Sequence, residues 1–181
     1  MSDLCAHFAL LARNNLWSNH RLHGACAQLS GGEYRKPRRA AFFGSIHGTL
    51  NHILLIDRYY LDRLAGRVEK ERFDDDVELA PDLPGLTAAQ TTADRSLLAF
   101  ILSLTETGLE APVTLSDDDD RPVQDPVRTV LLHLFLHQVH HRGQVHALLR
   151  ETPVEPPQLD EFFLSQDLGR REAELRDLGL A

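Results

Sequence analysis

The sequence predicts an all-α protein, a four-helix bundle with a short C-terminal helical tail. Three observations predict it. Four long segments carry apolar residues at helical spacing, Gly- and Pro-marked breaks separate them, and no segment alternates as a strand would. The last long segment also places histidines on a core-facing stripe, and bundles build polar sites from side chains on facing helices.

The first helix is expected over residues 3–29, where Leu4, Phe8, Leu11, Leu16, Leu22 and Leu29 recur at helical spacing and Gly31-Gly32 marks its end. The connector Tyr34-Arg35-Lys36-Pro37-Arg38-Arg39 is the one notable positive patch and reads as a solvated loop balancing acidic neighbours. The second helix is expected over 45–65, with Ser45 as N-cap and Gly66 as its stop. Apolar side chains cover most of its circumference, which makes it either central to the packing or the surface of a homodimer. His52 lies mid-helix, with Thr49 and Tyr59 on the same side. Asp57 falls on the apolar stripe beside Ile53 and Tyr60, where a carboxylate must be paired.

Residues 67–86 read as a loop, and the third helix begins at Thr87, where Thr87-Ala88-Ala89-Gln90 fits a capping box, and runs to about residue 107. The run Asp117-Asp118-Asp119-Asp120 lacks the spacing and central glycine of a calcium loop and reads as a solvated turn. Asp125-Pro126 supplies an N-cap and a first-turn proline for the fourth helix, which runs to about Arg150. The tail is expected to be helical over 159–178, with Phe162, Phe163, Leu164 and Leu168 lying across the bundle.

Composition narrows the function. The 181 residues suit one domain spanning 1–181, and 43% hydrophobic content is enough for a core. A net charge of -8 and a pI near 5.6 argue against nucleic acid and against an anionic membrane as partners. No apolar run approaches the ~18 residues of a transmembrane helix, and no basic-then-apolar signal pattern opens the chain. Cys5 and Cys26 form no CxxC pair and no disulfide framework, which points to a reducing cytoplasm.

The chemistry concentrates in the fourth helix, where four of the ten histidines fall between His133 and His141. His137 and His141 are four apart, so they project about 40° apart and roughly 6 Å along the axis, on the face of Leu134, Val145 and Leu148. That spacing presents two imidazoles to one ion. A buried imidazole pair needs a partner, and a metal serves both rings. The third ligand must come from another helix, and His52 is the best-placed candidate. His7, His20, His23, His47, His140 and His146 are less well placed, and His133, one turn before His137, competes with it. The glutamate of His-Glu-x-x-His is absent, so zincin-type proteolysis has no support.

Two stretches carry a family resemblance: Gly44-Ser45-Ile46-His47-Gly48-Thr49-Leu50-Asn51-His52-Ile53-Leu54 with Asp57-Arg58, and His133-Leu134-Phe135-Leu136-His137-Gln138-Val139-His140-His141-Arg142-Gly143-Gln144-Val145. Ala12-Arg13-Asn14-Asn15-Leu16-Trp17-Ser18-Asn19-His20-Arg21-Leu22 and Pro156-Pro157-Gln158-Leu159-Asp160 extend it over nearly the whole chain. The chain resembles the DinB branch of the DinB/YfiT-like superfamily of metal-binding four-helix bundles. The resemblance implies an up-down bundle with a divalent metal, zinc or nickel, on His52, His137 and His141, and relatives that are often dimeric. It has one departure: Leu136 stands where the family often has asparagine, which removes a polar group beside the second ligand.

Three imidazoles leave a divalent ion with open positions, the pattern of catalytic sites. The resemblance implies two uses for such a site, transfer or isomerisation with a low-molecular-weight thiol, and hydrolysis. The expected function is therefore a metal-dependent enzyme acting on a small-molecule substrate, with thiol-dependent transferase-like chemistry foremost. Tyr59 or Gln144 would orient the substrate and Asp57 would stand behind the ligands. The second reading is a stress-associated metal-binding module without turnover, in which the ion ties the second and fourth helices together.

Overall fold

The computed structural model describes residues 3–67, 77–116, 121–160 and 164–180. In chain order it contains α1 (Asp3–Cys26), a short α2 (Gly31–Arg35), α3 (Ile46–Leu64), α4 (Leu83–Leu102), a single turn α5 (Glu106–Leu109), strands β1 (Pro112–Ser116) and β2 (Pro122–Pro126), α6 (Val127–Leu149), a 3-10 turn (Ser165–Asp167) and α7 (Leu168–Asp177). The long helices α1, α3, α4 and α6 form the bundle, with α1 packed chiefly on α4 and α3 on α6. No helix among the described residues is long and apolar enough to cross a membrane.

The core has two apolar compartments separated by a polar layer. One contains Leu22, Ile46, Leu50, Ile53, Leu54, Leu86, Val145 and Leu149. The other contains Phe8, Ala12, Leu97, Ile101, Val130, Leu131, Leu134 and Phe135. Between them on each long helix stand buried polar residues: Asn15 and Asn19 on α1, Asp57 on α3, Gln90 and Asp94 on α4, Gln138 and Arg142 on α6. The order in which each helix meets the compartments gives the sense of the chain. α1 and α6 run from the second compartment to the first, while α3 and α4 run the other way. The bundle is thus up-down-down-up, a sharper statement than the up-down arrangement expected. The connection over residues 65–82 can return the chain along the ~30 Å of a 20-residue helix, so α3 and α4 can run parallel.

The polar layer is one hydrogen-bonded network. Gln90 Nε2 donates to Asp57 Oδ2 at 2.6 Å and to Asp94 Oδ1 at 3.0 Å. Gln138 Nε2 also donates to Asp57 Oδ2. Arg142 donates to Gln138 Oε1 at 2.9 Å and to Asn15 Oδ1, while Asn15 and Asn19 donate to Asp94. This satisfies the expectation that Asp57 is paired, and it links all four long helices without any ligand.

Several boundaries differ from expectation for local reasons. α1 stops at Cys26, because Ser30 accepts from Glu33 N and starts a new turn, so Gly31-Gly32 open α2 instead of closing α1. α4 begins at Leu83, not Thr87: Asp82 accepts from Gly85 N with Pro84 in the first turn, one turn ahead of the expected box. It ends at Leu102, after which Thr105 caps α5.

The expectation of no strand fails. β1 and β2 pair antiparallel, Val113 opposite Asp125 and Thr114 opposite Gln124, so Asp125-Pro126 closes a strand and α6 starts at Val127 without a side-chain cap. The tail is helical only from Ser165, where a 3-10 turn leads into α7 at Leu168, and Leu164 is exposed, not packed across the bundle. Leu175 and Leu178 take that place against Leu16 and Trp17. Glu174 holds the tail, accepting from Trp17 Nε1 and Arg21 Nε, each at 2.8 Å. Phe162, Phe163, the side chain of Leu168 and the Asp117–Asp120 run lie outside the described residues.

The basic connector is more ordered than a solvated loop. Arg35 pairs with Glu78 at 2.5 Å, Lys36 with Glu33 at 3.1 Å, and the buried Arg38 with Glu33 at 2.8 Å. Its balancing of acidic neighbours is as expected.

Candidate metal centre

α3 and α6 each contribute to a cluster of imidazoles. Ser45 caps α3 by accepting from Gly48 N, which sets His52 on the side facing α6. His52, His137 and His141 each offer a ring nitrogen, and these atoms lie within 4.8 Å of one another. His52 Nε2 and His137 Nε2 are 3.1 Å apart, close to the ~3.3 Å that separates two nitrogens on a tetrahedral zinc ion. Ring centroids are 5.1 Å apart for His52–His137, 4.8 Å for His52–His141 and 4.3 Å for His137–His141.

The sequence places His137 and His141 wholly inward, and the structure corrects this. The centre of the inner face belongs to Leu134, Gln138, Arg142 and Val145, while His141 is buried beside it and His137 is half-buried at its edge. The triad therefore has a protected side against the bundle and an open side. Leu136 is 61% exposed and points away from the core, so the departure from asparagine there leaves the buried side unchanged.

The donor chemistry fits a divalent cation. Burial, followed by the neighbouring His141 and His52 rings, pushes His137 down to about 3, so the ring is neutral and its lone pair available at physiological pH. Two Nε2 atoms in contact can share only one proton, and His137 Nδ1 is buried without a hydrogen-bond partner. A cation among the three nitrogens would engage all of them. His141 is oriented for this: its Nδ1–H donates to Gln144 Oε1 at 2.8 Å, leaving Nε2 for the cluster, and Gln144 Nε2 donates to His140 Nε2 at 3.1 Å.

Phe43, which sequence reasoning missed, fixes His52. Its ring stacks on His52 with centroids 3.8 Å apart and an interplanar angle of 18°, and meets His141 edge-on at 5.5 Å. The segment reaches there because Gly48 lets it cross α3: a Cβ at Gly48 would lie 2.1 Å from the Phe43 carbonyl oxygen. Gly44, at φ +77°, supplies the left-handed turn that follows Phe43. Gly48→Ala must therefore push Phe43 off His52. The expected result is a loss of about 1–3 kcal/mol in urea unfolding, with a displaced His52 ring resonance in NMR spectra; an unshifted resonance would contradict the contact.

The remaining residues separate clearly. Asp57 reaches the triad only through its bond from Gln138, the neighbour of His137. Tyr59 accepts from Ser116 N of β1 at 3.2 Å and carries the Arg63 guanidinium 5.0 Å from its ring centroid. His47, expected to cap or face solvent, is buried between Tyr34 and Glu78. His133 is exposed against Tyr60, His23 is buried against Thr87, and His146 donates to the Pro157 carbonyl. Gln138 and Arg142, the polar groups beneath the triad, had a signal in sequence: they share the four-residue spacing and the stripe of Leu134 and Val145.

Fold and site together define a four-helix bundle with a three-histidine cluster between its second and fourth long helices. The family model described as the DinB family matches residues 1–172, and the chain belongs to that family. Among solved structures it is similar to a DinB-like protein, YjoA, from Bacillus subtilis. That match has 20% identity and a TM-score of 0.57, and it covers 87% of this chain and 98% of that one. No curated protein matches the chain.

Proposed function

We propose that the protein is a divalent-metal-dependent enzyme that uses His52, His137 and His141 to hold zinc or nickel and acts on a small-molecule substrate by thiol-dependent transfer, with hydrolysis as the related alternative. One observation carries this reading: three imidazoles converge at a half-open site. When bound, the ion would lower the pKa of a coordinated thiol or water and so supply the nucleophile. The chain's own residues do the rest. Phe43 holds the His52 ring, Gln144 holds the His141 tautomer, and the bundle excludes water from one side.

The competing module reading makes the ion a tie between α3 and α6. Those helices are already joined by the Asp57–Gln138 hydrogen bond, and the Ile46-to-Leu54 stretch of α3 shares its core cluster with the end of α6. The ion is therefore not needed to hold them, which favours chemistry over structure. The test is a screen of zinc- and nickel-loaded protein with low-molecular-weight thiols and electrophilic acceptors, read by thiol consumption. Metal-dependent turnover that disappears on chelation, with helicity retained, is the expected result. A folded holo protein that consumes no thiol and hydrolyses no ester, and an apo protein that melts, would replace this reading with the module.

A further inference from the structure

A second cavity lies away from the triad, where the C-terminal end of α1 and α2 meet the start of α4. Its volume is about 660 Å³, within the range of pockets that hold drug-sized ligands. Leu29, Leu83 and Pro84 contribute apolar wall, and the polar lining comprises His23, Tyr34 and Thr87 together with His20, Arg35 and Asp82.

These polar groups are arranged to meet an occupant. His23 is only 3% exposed, and its Nδ1 is bound to Thr87 Oγ1 at 2.8 Å. Its Nε2 has no hydrogen-bond partner among the described residues and is the ring atom left for a ligand. Burial pushes this histidine down to about 4, so it stays neutral. Glu78, held below the usual carboxylate range chiefly by its hydrogen bond from Arg35, accepts from His47 Nε2 at 2.7 Å. That fixes His47 Nδ1 as the acceptor of the Tyr34 hydroxyl proton at 3.1 Å. The Tyr34 oxygen keeps lone pairs for a donor. Among the described lining residues Arg35 carries the fixed positive charge, and it is engaged by Glu78 and the Pro81 carbonyl, so an anion is not favoured here.

We propose that this cavity is a second ligand site, for a neutral, mainly apolar molecule with one hydrogen-bonding head such as a phenol or an alcohol. The ligand's apolar body lies against Leu29, Leu83 and Pro84, and its head meets His23 Nε2 and the Tyr34 oxygen. The site is independent of the metal centre, which is built on α3 and α6.

The probe is 4-hexylphenol, titrated calorimetrically into the full-length protein, with 4-hexylbenzoate as the anionic control. Gly24 lines the cavity, and a Cβ there would meet nothing within 4 Å, so Gly24→Leu fills the space at a helix position where leucine is favoured. The expected result is saturable 1:1 binding of the phenol. Gly24→Leu weakens it at least about tenfold and His137→Ala leaves it unchanged, while the benzoate binds at least about tenfold more weakly. His23→Phe, which keeps a ring and removes Nε2, lowers the preference for the phenol over its methyl ether. No binding up to the solubility of the phenol, binding indifferent to Gly24→Leu, or equal affinity for the benzoate would each overturn the proposal. Binding that disappears with His137→Ala would assign the probe to the metal centre and overturn it as well.

Discussion

His137→Ala is expected to abolish tight metal binding while leaving the protein folded. Zinc titrated against a chromophoric competitor is expected to bind the natural protein at one equivalent. The variant is expected to be weaker by at least about a hundredfold, since loss of a ligand exceeds the 10–100-fold cost of losing an outer-sphere partner. His137 is half-buried at the edge of the α6 inner face, and the polar layer and both apolar compartments do not depend on it. Its far-ultraviolet circular dichroism should match that of the natural protein. His133→Ala is the control, because His133 is exposed against Tyr60 and its ring centroid is 6.3 Å from that of His137. Equal loss in the two variants would place the ion on a different set of histidines.

The second large effect concerns the layer beneath. Arg142 is its only cation, set among the buried carboxyls of Asp57 and Asp94. Arg142→Met should cost about 3–5 kcal/mol in urea unfolding, as breaking a buried ionic cluster by removing one partner does. The carboxyls also make stability depend on pH. Burial, and then the nearby Asp94, push Asp57 up to about 7, while burial pushes Asp94 up to about 6, both from 3.8. A raised carboxyl binds its proton more tightly folded than unfolded. Its stabilising contribution is therefore present at low pH and is lost as pH rises from about 4 through 7.

Asp57→Asn removes the Asp57 share of that dependence and leaves that of Asp94. It also turns the unpartnered acceptor Asp57 Oδ1 into an N–H donor, in a layer where Gln90 Oε1 is a buried acceptor without a partner. The variant should gain on the natural protein steadily between pH 4 and 7 and hold a constant difference above. A constant difference across the whole range would show that Asp57 is ionised throughout. His23 and His137, both lowered, weaken the fold in acid in both proteins and cancel from the comparison.

The long helices and the triad were legible because they rest on local signals: apolar periodicity, the Ser45 cap and the four-residue step from His137 to His141. What escaped depends on tertiary choice. Asp82 with Pro84 and Thr87 with Gln90 are both valid helix starts, and the earlier one prevails, which leaves the Thr87 hydroxyl to His23. Asp125-Pro126 is a good helix opening, yet pairing with β1 makes it the end of a strand. Phe43 gave no periodic signal, because its place over His52 depends on the absence of a side chain at Gly48. Asp57 could be seen to need a partner, but Gln90, Asp94, Gln138 and Arg142 come from other helices, and only the folded bundle brings them to it.

X-ray absorption at the zinc edge of the fully loaded protein tests the metal centre most directly. Three imidazole nitrogens at about 2.0–2.1 Å, with an oxygen or added thiol sulfur completing the shell, is the predicted spectrum, and His52→Ala should remove one imidazole from it. A shell without imidazole scattering, or a spectrum unchanged in His52→Ala, would contradict the triad as the metal site.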